Sequence, residues 1–319
     1  MSDGFLEKIE VDMPKRVTRR AALGLAGGAT LAAALPITHR SLAATPQTEI
    51  DIGSARFSFF EGTSTRGLVS TRPDGPPPVI RLRRNQRFIA SVTNTLEDYT
   101  TMHWHGLRLD NAMDGVPYLT QFPLGQNDWY DYALVSPDAG TFWYHPHCMT
   151  MDQMALGLTG ILIVDEDEDP GFDDEVPLNL RDFRLRGDGA WLDLWTARGA
   201  ARGGTFGTVM TTNWLKEPIY EATAGGLARL RVAATDTTRI YKLFMPEADA
   251  KIIALDGHPL SQPVNMPRTK ESAIRLGPGQ RADIALLMPE TEGEGVSLFT
   301  DAPGEARLLA QLMSRGASA

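Results

Sequence analysis

The sequence predicts an all-β protein built as two β-sandwiches in tandem. Three observations carry that reading. Short runs that are apolar or alternate between apolar and polar residues recur along the chain, Gly, Pro, Asn and Asp break them at close intervals, and no long stretch has helical periodicity. Hydrophobic residues make up 42% of the chain and charged residues 22%, an ordinary balance that supplies a buried core.

The elements follow in order. Val79–Arg83, Arg87–Val92 and Gly160–Val164 read as strands of a first sandwich. Thr150–Leu158 has room for only a turn or two of helix. The acidic run Asp165–Asp169, closed by Pro170, reads either as a linker or as a solvated loop. Beyond it the strand pattern resumes at Val176–Leu180, Ala228–Ala233 and Lys251–Leu255. A Gly277-Pro278-Gly279 turn then precedes a strand over Ala282–Leu287. The expected division is a domain over 45–166 and a second over 171–319.

Residues 1–44 stand apart. Arg19-Arg20 directly precede an apolar run from Ala21 to Ile37, which is short for a membrane span and is followed by the small residues of Ser41-Leu42-Ala43-Ala44. The pattern predicts a twin-arginine export signal and a periplasmic or secreted mature protein with no stable membrane span after cleavage. A net charge of −9, from 40 acidic and 31 basic residues, argues against a nucleic-acid partner. The single cysteine, Cys148, excludes an internal disulfide framework.

The chemistry concentrates in histidine. Of the six histidines, four form two His-x-His pairs: His103/His105 and His145/His147. On a strand, residues two apart project to one face, so two paired strands bring all four imidazoles to one locus. Imidazole suits copper, zinc, iron and nickel, so ligand type alone leaves the metal open. A four-His zinc site fits the donors. A barrel-type iron or manganese site usually adds a carboxylate close after the pair, and Gly106-Leu107-Arg108-Leu109 offers none.

The phrases "HWHG", "MDGVPYLTQFPLGQ", "GTFWYHPH" and "GLTGILIVDE" resemble, in order and spacing, the first domain of the multicopper oxidases, the laccase-like enzymes. "RDFRL", "ARLRVAATDTTRIYKL", "IIALDGHPL" and "LGPGQRADIAL" are more loosely similar to that family's middle domain. The resemblance implies two cupredoxin-like Greek-key β-sandwich domains, the second without metal ligands. It also implies copper-dependent one-electron oxidation of a reducing substrate, coupled to reduction of dioxygen to water. By resemblance His103 is a ligand of a type 2 copper, and His105, His145 and His147 are ligands of a type 3 pair. Together they are half the ligands of a trinuclear cluster. Asp114, in the "MDGVP" loop, corresponds to an acid that helps deliver protons in some members; the same residue also reads as a turn former before Gly115.

The sequence departs from the family pattern at two places. In the family a His-Cys-His triplet links the cluster to a type 1 copper. Pro146 fills that slot here, and Cys148 lies two residues out of register, so it is expected to be an outer-sphere or buried thiol. The family's third domain, with the other two His-x-His pairs, is not found in these 319 residues. The expectation is a truncated oxidase, or one completed by a separate C-terminal copper domain; the alternative is a non-catalytic copper-binding or scaffold protein of the same fold. His258 is expected in a turn, Trp104 and Trp143 as core aromatics behind the ligands, and Met149, Met151 and Met154 in core or interdomain packing.

Overall fold

The computed structural model describes residues 47–302 and 305–317, so the predicted export signal lies outside the described residues. Among the described residues, no helix is long and apolar enough to cross a membrane.

The first eight strands are β1 (Thr48–Phe57), β2 (Thr65–Ser70), β3 (Ile80–Arg83), β4 (Phe88–Asn94), β5 (Met102–His105), β6 (Trp129–Leu134), β7 (Gly140–Pro146) and β8 (Gly160–Asp165). They form two four-stranded sheets, ordered β2-β1-β4-β6 and β3-β8-β7-β5. Each sheet mixes one parallel pair, β1/β4 or β3/β8, with antiparallel neighbours. Their inner faces enclose a core that includes Ile52, Val92, Trp104, Tyr132, Tyr144 and Leu162. Alternation decides which residues turn inward: β3 reads buried-exposed over Ile80–Arg83, as a half-buried strand requires. Helix α1 (Thr150–Ala155) covers the stretch after β7.

The second sandwich begins with β9 (Asp174–Phe183), then the short helix α2 (Ala197–Ala200), β10 (Val209–Thr212), β11 (Ile219–Ala224), β12 (Leu227–Ala234) and β13 (Tyr241–Phe244). Strands β14 (Asp249–Leu255), β15 (His258–Asn265), β16 (Ile274–Leu276), β17 (Arg281–Leu287), β18 (Gly295–Ala302) and β19 (Glu305–Ala317) complete it. A six-stranded sheet, β10-β9-β12-β17-β14-β15, faces a five-stranded one, β11-β19-β18-β13-β16. Its core includes Leu178, Leu230, Val232, Leu243, Ile284 and Leu298. The all-β prediction holds.

Polar and apolar contacts together join the two sandwiches. Ile161 and Ile163 of β8 pack on Ala233 of β12. Beside them Thr141 Oγ1 of β7 donates to Asp283 Oδ1 of β17 at 2.5 Å, and Arg229 donates to both Asp283 (2.6 Å) and Glu166 (2.6 Å). Asp283 and Arg231 are almost fully buried, so these charges persist there only because each finds partners. The acidic run is therefore no free linker: Asp165 pairs with Arg81 and Glu166 with Arg229, one on each sandwich.

Two expectations need correction. His258 is not in a turn; Asp256 and Gly257 make the turn with positive φ (51° and 83°), and exposed His258 opens the edge strand β15. Of Met149, Met151 and Met154, only Met154 is buried, whereas Met149 and Met151 are 50% and 53% exposed.

Candidate metal centre

Strands β5 and β7 pair antiparallel with His103 opposite His145 and His105 opposite Trp143. The register continues past β7, where the His147 amide donates to Thr101 O at 3.3 Å. One sheet face therefore carries His103, His105, Trp143, His145 and His147, while Trp104 turns into the core against Tyr132 and Tyr144. All four predicted histidines line one cleft of about 350 Å³, together with Met151 and Met154. The Pro278-Gly279 turn of the second sandwich closes another wall.

The imidazole nitrogens converge. One nitrogen from each of His103, His105 and His145 lies within 4.8 Å of the other two. The closest pair is His105 Nδ1 and His145 Nε2, 3.3 Å apart. His147 joins through its ring, whose centroid is 4.9 Å from that of His103. Backbone carbonyls orient two of the imidazoles: His103 Nδ1 donates to Asp114 O at 2.8 Å, and His145 Nδ1 donates to Pro146 O at 2.9 Å. Each bond holds the proton on Nδ1 and leaves Nε2 as a lone-pair donor toward the cleft.

Burial favours the neutral form of His105, His145 and His147. It lowers His145 to about 3, helped by the neighbouring histidines, and lowers His105 to about 4, helped by the positive charge of Arg281. His147 shifts in the same direction, mainly by burial. Neutral imidazole is the form that binds a metal ion.

Asp114 stands at the rim with Oδ1 3.4 Å from His103 Nδ1, but its backbone carbonyl makes the shorter contact. Gly115 allows this loop to approach. Its φ is +73°, and a Cβ there would lie 1.9 Å from Met102 O. Trp143 was expected in the core behind the histidines, and the structure places it on the same face as their rings. It stacks on His145 at 4.3 Å and on His105 at 4.6 Å, as its parity with His145 on the strand requires. Cys148 is only partly buried and stands past the end of β7; burial still raises its thiol above the ordinary value. It is not among the three residues whose nitrogens converge.

The sequence reading missed Arg281 and Gly279, which come from a turn read only as a turn. Gly279 (φ +84°) puts its backbone where a Cβ would be 3.4 Å from His105 Cε1 and from Trp143, so a small residue there keeps the cleft wall thin.

Fold and site together define a class: a double β-sandwich protein of cupredoxin type with an imidazole-lined cleft on its first sandwich. Residues 58–169 match the family model described as multicopper oxidase. Along 95% of its length the chain is similar to multicopper oxidase MmcO of Mycobacterium tuberculosis, at 27% identity and covering 67% of that protein. A shorter stretch, 34% of the chain, is 36% identical to copper resistance protein A of Escherichia coli. Among solved structures, a multi-copper oxidase from Pseudomonas thermotolerans matches with a TM-score of 0.78 and 34% identity, over 86% of this chain and 65% of that one. The chain is thus similar to the multicopper oxidases, by the family model over residues 58–169 and by these relatives along most of its length. It spans about two thirds of the length of these two full-length matches and 48% of the multicopper oxidase of Staphylococcus haemolyticus.

Proposed function

We propose that this chain is the part of a laccase-like multicopper oxidase that supplies half of a copper cluster, on a first domain spanning 45–166. The single observation that carries the reading is the 3.3 Å separation of His105 Nδ1 and His145 Nε2. Two nitrogens bound to one ion at about 2.0–2.1 Å with a near-tetrahedral angle lie roughly 3.3 Å apart. The donor set therefore fits a metal ion that takes imidazole, and the named relatives support copper among the candidates.

In this reading His103 serves a type 2 copper, and His105, His145 and His147 serve a type 3 pair. Copper bound there supplies one-electron chemistry that passes electrons from a reducing substrate to dioxygen. The chain's own residues do the rest. The carbonyls of Asp114 and Pro146 fix two imidazoles by their Nδ1 protons, and Trp143 holds His105 and His145 in place by stacking. The Asp114 carboxylate at the rim holds and passes protons toward the cleft. His105 moves its proton to Nε2 when Nδ1 takes the metal.

Exposed Tyr118, Leu119 and Phe122 follow Asp114 in the chain and offer an apolar surface to a second, imidazole-bearing unit. The relatives' additional length offers room for it. Export to the periplasm through the twin-arginine pathway follows from the N-terminal pattern and puts the folded, metal-bearing protein where copper oxidases act. The relatives named as oxidases favour this enzymatic reading over a copper scaffold without catalysis.

The test is copper titration of purified residues 45–319, with bound copper counted by atomic absorption. Retention of copper that is lost in His145→Ala supports the reading. An unchanged copper content in His145→Ala overturns it.

A further inference from the structure

The second sandwich sets the buried carboxylate of Asp236 on the lining of the histidine cleft and one cation, Arg281, behind that lining beside the residue that follows His105. Arg281 opens β17, and its side chain is only 6% exposed. Its Nε donates to Thr141 O at 3.2 Å, Nη1 to Gly279 O at 2.9 Å and Nη2 to Asp256 O at 2.9 Å. All three acceptors are neutral carbonyls, so hydrogen bonding is satisfied while the charge is not cancelled. The guanidinium is held against the residue that follows His105: a Cβ on Gly106 would lie 2.6 Å from Nη2.

Two carboxylates act on it, of which Asp283 is already engaged by Arg229 and Thr141 and only Asp256 is in direct contact. Asp256 Oδ1 stands 3.2 Å from Nη1, but its side chain is 45% exposed. Water screens the carboxylate more than it screens the buried cation, so the pair leaves a net positive field on the His105 side. A metal site that moves between two oxidation states changes by one unit of charge. A fixed cation beside it disfavours the more positive state.

We propose that Arg281 and Asp256 act as a charge pair that sets the preference of the histidine site between Cu(I) and Cu(II), the guanidinium favouring Cu(I) and the carboxylate favouring Cu(II). The inference rests on the copper reading above. It gives the second sandwich, which contributes no residue to the histidine cluster, a part in the electron affinity of the site. The couple is Cu(II) plus one electron giving Cu(I), the electron coming from the reducing substrate.

The test measures the two affinities separately on the folded chain: Cu(I) by anaerobic competition with bicinchoninate, Cu(II) by competition with nitrilotriacetate. Arg281→Met is expected to lower the Cu(I)-to-Cu(II) affinity ratio about tenfold, about 59 mV for one electron. Asp256→Asn, which keeps an oxygen for the Arg281 amide, is expected to raise the ratio. Arg281→Lys is expected to stay near the wild-type ratio. A variant that merely loosens the junction weakens both ions alike, so an unchanged ratio overturns the proposal, as do shifts of the same sign in Arg281→Met and Asp256→Asn. If Arg281→Met does not fold, Asp256→Asn against wild type decides by the same criterion. A wild-type chain that holds neither ion overturns the copper reading itself and this inference with it.

Discussion

His105 Nδ1 and His145 Nε2 approach to 3.3 Å although forty residues separate them in the chain. Neighbouring strands β5 and β7 bring them together, and Trp143 stacks on both rings. The pair is either hydrogen-bonded or bridged by an ion, and every contact around it keeps both rings in one orientation. His145→Ala removes one partner, and the copper affinity of the site should fall by more than the roughly 10–100-fold attached to outer-sphere contacts. Chelator competition measures it; a smaller loss would mean that the ion sits elsewhere.

The acid stability of the metal-free protein has a definite sign. Folding lowers His105 to about 4 and His145 to about 3 from an ordinary 6.5, so between those values the unfolded chain binds more protons than the folded one. Stability is therefore fully present above about pH 6.5 and falls as the pH drops toward 3, with a limiting slope of about 1.4 kcal/mol per pH unit for each group. Denaturant melts at pH 7, 6 and 5 should show that decline, and His145→Asn should flatten it.

Trp143 is nearly fully buried and fills the space between two imidazoles. Trp143→Ala should destabilise the fold by about 3–5 kcal/mol. Its copper affinity should fall as well, because the rings lose their common support. Tryptophan emission offers a second readout: copper bound at the cleft should quench Trp143, and Trp143→Phe should remove that quenched component. Quenching of equal size in Trp143→Phe would place the ion away from this ring.

Gly115 controls the reach of the Asp114 loop. Gly115→Ala puts a methyl group against Met102 O at a positive φ, so a loss of about 1–3 kcal/mol is expected. The backbone must withdraw, and the hydrogen bond from His103 to Asp114 O goes with it. Asp114→Asn leaves that carbonyl in place. It should therefore keep wild-type copper affinity, while Gly115→Ala should not. Calorimetry on the two variants separates the contribution of the carbonyl from that of the carboxylate.

Much of the site was legible before the fold was known. Period two on a strand put His103 beside His105 and His145 beside His147, and the same rule, carried one step further, places Trp143 on the face of the histidines rather than behind them. Asp114 was readable as a residue of the site, but not that its carbonyl does the orienting, because side-chain identity says nothing about which backbone oxygen faces a ring. Cys148 shows the opposite case. It is sequentially next to His147, yet it has the parity of Tyr144 and Pro146, opposite to the face that carries His145 and His147, and it stands past the end of the strand.

The sequence by itself determined the all-β class, the two histidine pairs and their common face, since all three follow from local periodicity and residue chemistry. Only the tertiary structure decided that the pairs lie on adjacent strands in register, and that the turn before β17 closes the cleft. It also decided that Arg281 sets its charge beside His105 from 176 positions further along the chain. Register and domain contact depend on which surfaces bury one another, and distant segments share no local pattern that announces such contact. Burial then turns His105 and His145, ordinary titrating groups in an open chain, into neutral rings.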